Sequence, residues 1–191
     1  MTFSVLQPED LEQILSSSGN RYPIEVEIGC GNGHFLTEYG SRNRNHVFIG
    51  IDLKKSRCEK SAKKATLLGL HNIHIVCGKA EEILGKLPES SIAAFHIYFP
   101  DPWPKNRHRR RRLFRMPNLH TLYQRLKPGG ELRFSTDFFD YYLQAKLLVL
   151  LYPGLDYDDS PPPQEVYTSL FSRRFENQGK SIYFISAVKH N

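Results

Sequence analysis

Short runs of β-branched and aromatic residues alternate along this chain with longer stretches whose apolar positions recur at helical spacing, the pattern of an alternating α/β fold. The runs predict strands at Ile24–Ile28, Val47–Ile51, Ile73–Cys77, Ile92–Phe99 and Leu132–Ser135, with a last strand at Ile182–Val188. Their apolar character is nearly continuous, as parallel strands covered on both faces require. Between them, Ser56–Leu68, Ala80–Leu87, Arg112–Leu126 and Phe139–Leu151 carry the amphipathic period of helices. Lys127-Pro-Gly-Gly130 reads as a helix stop followed by a turn, and residues 153–163, rich in Asp, Pro and Ser, read as a surface loop. Residues 1–23 carry no readable functional signal.

Composition narrows this picture only slightly. With 191 residues and 40% hydrophobic content, the chain can bury a full core as one domain. Glu9, Asp10 and Glu12 stand where a secretory signal would be basic and then apolar, and the longest apolar run, Leu147–Tyr152, is too short to cross a bilayer. A soluble cytoplasmic protein is expected. Cys30, Cys58 and Cys77 are odd in number and include no Cys-x-x-Cys pair, and the histidines do not cluster with carboxylates, so neither disulfides nor a metal site are expected.

Charge changes the picture more. Between Lys105 and Arg115 lie seven Lys or Arg and no acid, whereas the whole chain carries a formal charge of +6. The remainder is therefore close to neutral, at −1. A patch this concentrated is an anion-binding footprint, most often for phosphates. Directly before it, Phe99-Pro-Asp-Pro-Trp-Pro-Lys105 frames one carboxylate, Asp101, between two prolines. Its position after the fourth strand is where open α/β sheets bind ligands. Trp103 can either stack on a base or wedge under this loop.

A second site lies in Glu25-Val-Glu-Ile-Gly-Cys-Gly-Asn-Gly33, at the end of the first strand. Gly29, Gly31 and Gly33 let the backbone turn tightly and approach a ligand closely. Nineteen residues after Gly33, Asp52 ends the second strand, where a carboxylate can accept both ribose hydroxyls of an adenosine group. A dinucleotide fingerprint would place glycine where His34 stands. The spacing fits acidic-x-Gly-x-Gly-x-Gly instead, with Glu27 as the acid.

Taken together, these motifs resemble the bacterial tRNA (guanine-N7)-methyltransferases, from about Ile24 to Tyr183. Phe99-Pro-Asp-Pro-Trp-Pro-Lys-Asn-Arg-His108 is the most specific element, supported by Glu27–Gly33, Gly50-Ile-Asp52, Lys127–Gly130 and Ser135-Thr-Asp137. The resemblance implies a class I, Rossmann-like doubly wound sheet, mostly parallel, of seven strands with one antiparallel. It implies S-adenosyl-L-methionine as cofactor, S-adenosyl-L-homocysteine as product, no metal, and the variable-loop guanine of tRNA as substrate. It assigns catalysis to Asp101, cofactor contacts to Glu27, Gly29, Gly31, Gly33, Asp52 and Asp101, and substrate contacts to Lys105 and Asp137, with Arg107 and Arg109–Arg112 on phosphates. Asp137 has a second reading, as the cap of the following helix. No obligate protein partner is implied, and the chain would act as a monomer or homodimer.

Two positions depart from the family pattern. Lys79 stands before Ala80 where many relatives carry an Asp or Asn that accepts from the adenine amino group, and lysine cannot accept. Ser169-Leu-Phe-Ser172 replaces a Thr-x-Tyr/Phe-Glu segment; Ser169 keeps a hydroxyl, but Ser172 loses the acid. Two other functions fit the same residues: an RNA-binding protein with this fold and no catalysis, and a class I methyltransferase acting on another substrate.

Overall fold

The computed structural model describes residues 5–18, 21–158, 161–162, 164–168 and 181–190. Strands β1 (Ile24–Ile28), β2 (Val47–Asp52), β3 (Ile73–Cys77), β4 (Ile92–Tyr98), β5 (Leu126–Thr136), β6 (Leu155–Asp158) and β7 (Tyr183–Lys189) form one sheet in the order β3-β2-β1-β4-β5-β7-β6. Neighbours from β3 through to β5 pair parallel, and β7 pairs antiparallel with both β5 and β6. One strand therefore runs against the other six, as the resemblance implies. The helices are α1 (Leu11–Ser18), α2 (His34–Arg42), α3 (Lys55–Leu67), α4 (Ala80–Lys86), α5 (Met116–Arg125), α6 (Phe139–Leu151) and α7 (Gln164–Thr168).

Every residue of β1 and β2 is buried, because helices cover both faces of the sheet. Alternation along β2 splits the core accordingly. Val47, Ile49 and Ile51 join the larger cluster with Leu11 and Ile14 of α1, while Phe48 packs with Leu36 of α2 and Ala62 of α3 in the smaller one. Gly50 lets α2 lie close on β2, since a Cβ there would stand 2.6 Å from Leu36 Cδ2. The N-terminal segment, silent in sequence, also extends the sheet edge, where Leu6 bridges Val76 in parallel.

The structure corrects several boundaries. Lys127-Pro-Gly-Gly130 is not a turn between helix and strand but part of β5, which begins at Leu126. Its pairing with β4 jumps from Ile92↔Leu126 to Ala94↔Glu131, so Pro128 and Gly129 are accommodated as a bulge, with Gly129 at φ +71°. A Cβ on Gly130 would sit 2.8 Å from the Lys127 carbonyl oxygen, so only glycine closes the bulge. The helix expected from Arg112 starts at Met116, with Pro117 in its first turn. Residues 153–163 are not loop throughout, because Leu155–Asp158 pair with β7 as an edge strand. Helix α2 was not anticipated; its period is obscured by the small and polar residues Thr37, Gly40 and Ser41.

Candidate functional site

The strand order turns outward in both directions between β1 and β4, and open α/β sheets place ligands at the carboxyl ends of the strands around such a point. A cleft of about 910 Å³ opens there, lined by Glu27, Gly29, Gly31, Asp52, Lys79 and Asp101 among others. The two sites read separately from the sequence thus face one cavity.

After β1 the backbone enters the left-handed region at Gly29 (φ +81°) and Gly31 (φ +55°). A Cβ on Gly29 would meet nothing within 4 Å, and one on Gly31 would meet only the Gly29 carbonyl oxygen at 4.0 Å. Glycine is needed here for conformation, and the space beside it is open to a ligand. Gly33 differs: it does not line the cleft, and a Cβ there would lie 2.2 Å from Ser61 Oγ. It lets α2 start hard against α3, at φ +72°.

Glu27 is buried, and its Oε2 has no hydrogen-bond partner among the described residues. Burial, with the Asp52 carboxylate nearby, pushes its pKa up to about 8. Asp52 is held in place by two backbone donors, Gly31 N to Oδ2 at 3.0 Å and Lys54 N to Oδ1 at 2.8 Å. Lys79 turns its Nζ away to Glu82 Oε1 at 2.8 Å, so its side chain is engaged on the surface.

Asp101 is exposed at the cleft rim. Phe99 (φ +50°) and Trp103 (φ +43°), both non-glycine residues in the left-handed region, bracket it, a strain that persists only where the surroundings impose it. Those surroundings are basic. Arg111 lies over the Trp103 ring at 5.0 Å, and His108 meets that ring edge-on at 5.8 Å. Arg112 is fully buried and donates to Pro102 O at 2.8 Å, Gln144 Oε1 at 2.6 Å and Asp140 Oδ2 at 2.7 Å. Arg112 is therefore a structural clamp, not the phosphate contact expected from the sequence. Arg109 donates to the other Asp140 oxygen at 2.7 Å, whereas Arg107 and Lys105 are exposed on the short 3-10 helix Asn106–Arg111 and its cap.

Asp137 does not occupy the N-cap position of α6. The capping position is Phe138, whose N–H donates to Thr136 Oγ1 at 3.2 Å. Neither Asp137 nor Lys105 lines the cleft. Residues 169–180, including Ser169 and Ser172, lie outside the described residues.

Sequence reasoning missed the polar network under the cleft floor. Buried Glu25, two residues before Glu27 on β1, pairs with His46 Nδ1 and with His96 Nε2, the latter at 2.6 Å. His96 Nδ1 lies 2.8 Å from the Tyr98 hydroxyl, and Tyr98 lines the cleft. Burial opposes ionisation of Glu25, yet bonds from His96 and His46 prevail and hold it below the usual carboxylate range. Spacing could have shown only that Glu25 and Glu27 share a strand face. Among the described residues no group of three or more His, Cys, Asp or Glu could hold a metal ion, and no helix is long and apolar enough to cross a membrane.

A family model described as "Putative methyltransferase" matches residues 21–185. A tRNA (guanine-N(7)-)-methyltransferase of Syntrophotalea carbinolica is 36% identical over 188 residues, covering 95% of this chain and 79% of the relative. One from Geobacter metallireducens is 34% identical over 176 residues, covering 87% and 82%. Among solved structures, the 16S rRNA methyltransferase KamB superposes with a TM-score of 0.69 at 19% identity, covering 100% of this chain and 96% of that one.

Proposed function

Starting from the tRNA (guanine-N7)-methyltransferase family, to which this chain belongs, we propose that it transfers a methyl group from S-adenosyl-L-methionine to N7 of the variable-loop guanine of tRNA. The observation that carries this reading is the shared cleft: a buried, unpartnered carboxylate at Glu27 and the framed carboxylate Asp101 face the same cavity.

The cleft suits the cofactor. Gly29 and Gly31 leave room for close approach to backbone, Glu27 offers an orphaned acid to a cationic amine, and Asp52 stands where ribose hydroxyls would be accepted. When bound, S-adenosylmethionine supplies an electrophilic methyl group on a sulfonium sulfur. The chain then has to orient. Guanine N7 carries a lone pair and no proton, so alignment matters more than a strong base, and orientation can lower a barrier by about 7–11 kcal/mol.

Asp101 accepts from the guanine N1 and N2 hydrogens and offsets the positive charge that develops on the methylated ring. Its bracketing residues and the Arg112 bond to Pro102 keep the carboxylate in place before substrate arrives. Lys105, Arg107 and Asp137 contact the RNA, with Arg109 shared between phosphate and Asp140. Lys105, Arg107 and Arg109, the cations among these, set affinity and not base choice. The target must be an accessible loop guanine, because the N7 edge of an A-form helix lies in a groove that side chains cannot read. The chain acts as one domain, in the cytoplasm where its substrate is, and needs no other protein.

The test is methyl transfer from labelled cofactor to unmodified tRNA transcripts, with the product nucleoside identified by mass spectrometry and mapped by cleavage at 7-methylguanosine. A single variable-loop 7-methylguanosine is expected. Binding of tRNA and cofactor without transfer would leave a non-catalytic RNA-binding protein.

A further inference from the structure

The run at Lys105–Arg115 is not the only concentration of charge. Residues 54–64 hold Lys54, Lys55, Arg57, Lys60, Lys63 and Lys64 against one acid, Glu59, a local charge of +5. With +7 in residues 105–115 and +6 overall, the rest of the chain carries −6. All of the excess positive charge thus sits in two segments of an otherwise acidic protein.

Both segments border the same cleft. Lys54 and Arg57 line it from the β2 side, and Trp103 and Arg111 line it from the β4 side. Helix α3 buries Cys58, Ser61, Ala62 and Ala65. At 3.6 residues per turn, that stripe leaves Lys60 and Lys63 on the opposite face with Arg57 and Lys64 on its flank, along roughly 10 Å of helix. Lys64 is half-buried, its Nζ 3.1 Å from His34 Nδ1. Lys60 and Lys63 are exposed, and among the described residues neither has a carboxylate within ion-pair distance. Arg57 reaches Asp52 only at 3.8 Å.

Exposed, unpaired lysines repel one another along a helix, so this face is suited to an anionic partner. Lysine heads on flexible stems act as point charges and read backbone phosphate, not bases. A lipid surface would require an apolar stripe running beside the cations, whereas the exposed leucines here, Leu53, Leu67 and Leu68, stand outside the run from Lys54 to Lys64, at the two ends of α3.

We propose that the exposed face of α3 is a second phosphate-binding surface, which holds the backbone of the same tRNA outside its target loop. The two cationic segments then grip the RNA on either side of the cleft mouth. This rests on the tRNA methyltransferase reading.

The test is the Lys60→Gln/Lys63→Gln variant, which changes two exposed side chains that do not line the cleft. Binding of unmodified tRNA is measured across salt concentrations, with steady-state kinetics and cofactor affinity alongside. Loss of two phosphate contacts should flatten the slope of log affinity against log salt by about 1.4 to 1.8. KM for tRNA should rise several-fold with kcat little changed, cofactor affinity should stay at the wild-type value, and Lys60→Arg/Lys63→Arg should restore binding. A wild-type slope and KM in the glutamine variant, when the parent protein methylates tRNA, would overturn the proposal alone. Failure of the parent to methylate tRNA would overturn the functional reading and this surface with it.

Discussion

Arg112, the buried member of a run of exposed arginines, donates its Nε hydrogen to the carbonyl of Pro102 at 2.8 Å. The bond joins the residue after Asp101 to α6, because the same guanidinium also holds Gln144 and Asp140. Rigid placement of Asp101 therefore depends on a side chain that sequence alone groups with its RNA-facing neighbours.

Replacing Arg112 by alanine leaves three acceptors without their donor and a cavity beside Tyr141. We expect a loss of about 3 kcal/mol, a Tm drop of about 6–12 °C for a chain of this size. Arg112→Lys should fall between, since an ammonium cannot span the fork. At a temperature where both are folded, kcat should fall more than cofactor affinity. A variant that loses tRNA affinity without losing stability would return Arg112 to the phosphate-binding set.

Asp101→Asn removes the charge but keeps one acceptor oxygen, whereas Asp101→Ala removes both. Turnover should fall by about a hundredfold or more in the alanine variant and less in the asparagine variant. Cofactor affinity, measured by calorimetry, should change little in either. Lost cofactor binding would place Asp101 on the cofactor instead of the guanine.

Glu27 is raised from 4.5 to about 8, so the folded, ligand-free protein holds a proton there that the unfolded chain has released. For an acid raised in this way, the cost to stability is absent below pH 4.5, grows through the window and is complete above about 8. Glu27→Gln should therefore melt higher than the parent without ligand, by a margin that widens from pH 5 to pH 8. The same change should abolish cofactor binding. In the parent, pairing with a cation requires the proton to leave, so apparent affinity should climb with pH, by at most about tenfold per unit, and level off near 8. Calorimetry in buffers of different ionisation enthalpy reads the released proton directly.

Glu25 carries the opposite sign. Its pKa is lowered from 4.5, so its contribution to stability is present above 4.5 and is lost as pH falls through the folded value. Glu25→Gln should lower Tm at neutral pH and flatten the loss of stability on acidification. An acid limb as steep as that of the parent would show that the His46 and His96 pairing is not what protonation breaks.

The sequence by itself determined the alternating architecture, the positions of β1 to β4 and the chemistry of the two motifs. Strand periodicity and glycine spacing are local properties, and Glu27 and Asp52 lie in the last residues of strands that the period already locates, with Asp101 just after another. The resemblance implied one antiparallel strand, and the pairing of β7 with β5 and β6 decided which strand that is. The tertiary structure alone decided which charges are free. Arg112 is buried because Asp140 and Gln144, about thirty residues onward, are folded against it, and Gly33 faces Ser61 and not the cleft because α3 crosses there. The bulge in β5 and the Glu25–His96–Tyr98 network likewise depend on pairing between β1, β4 and β5. Burial and partnership are set by contacts between distant segments, and a linear pattern carries no information about those until the strands have found their neighbours.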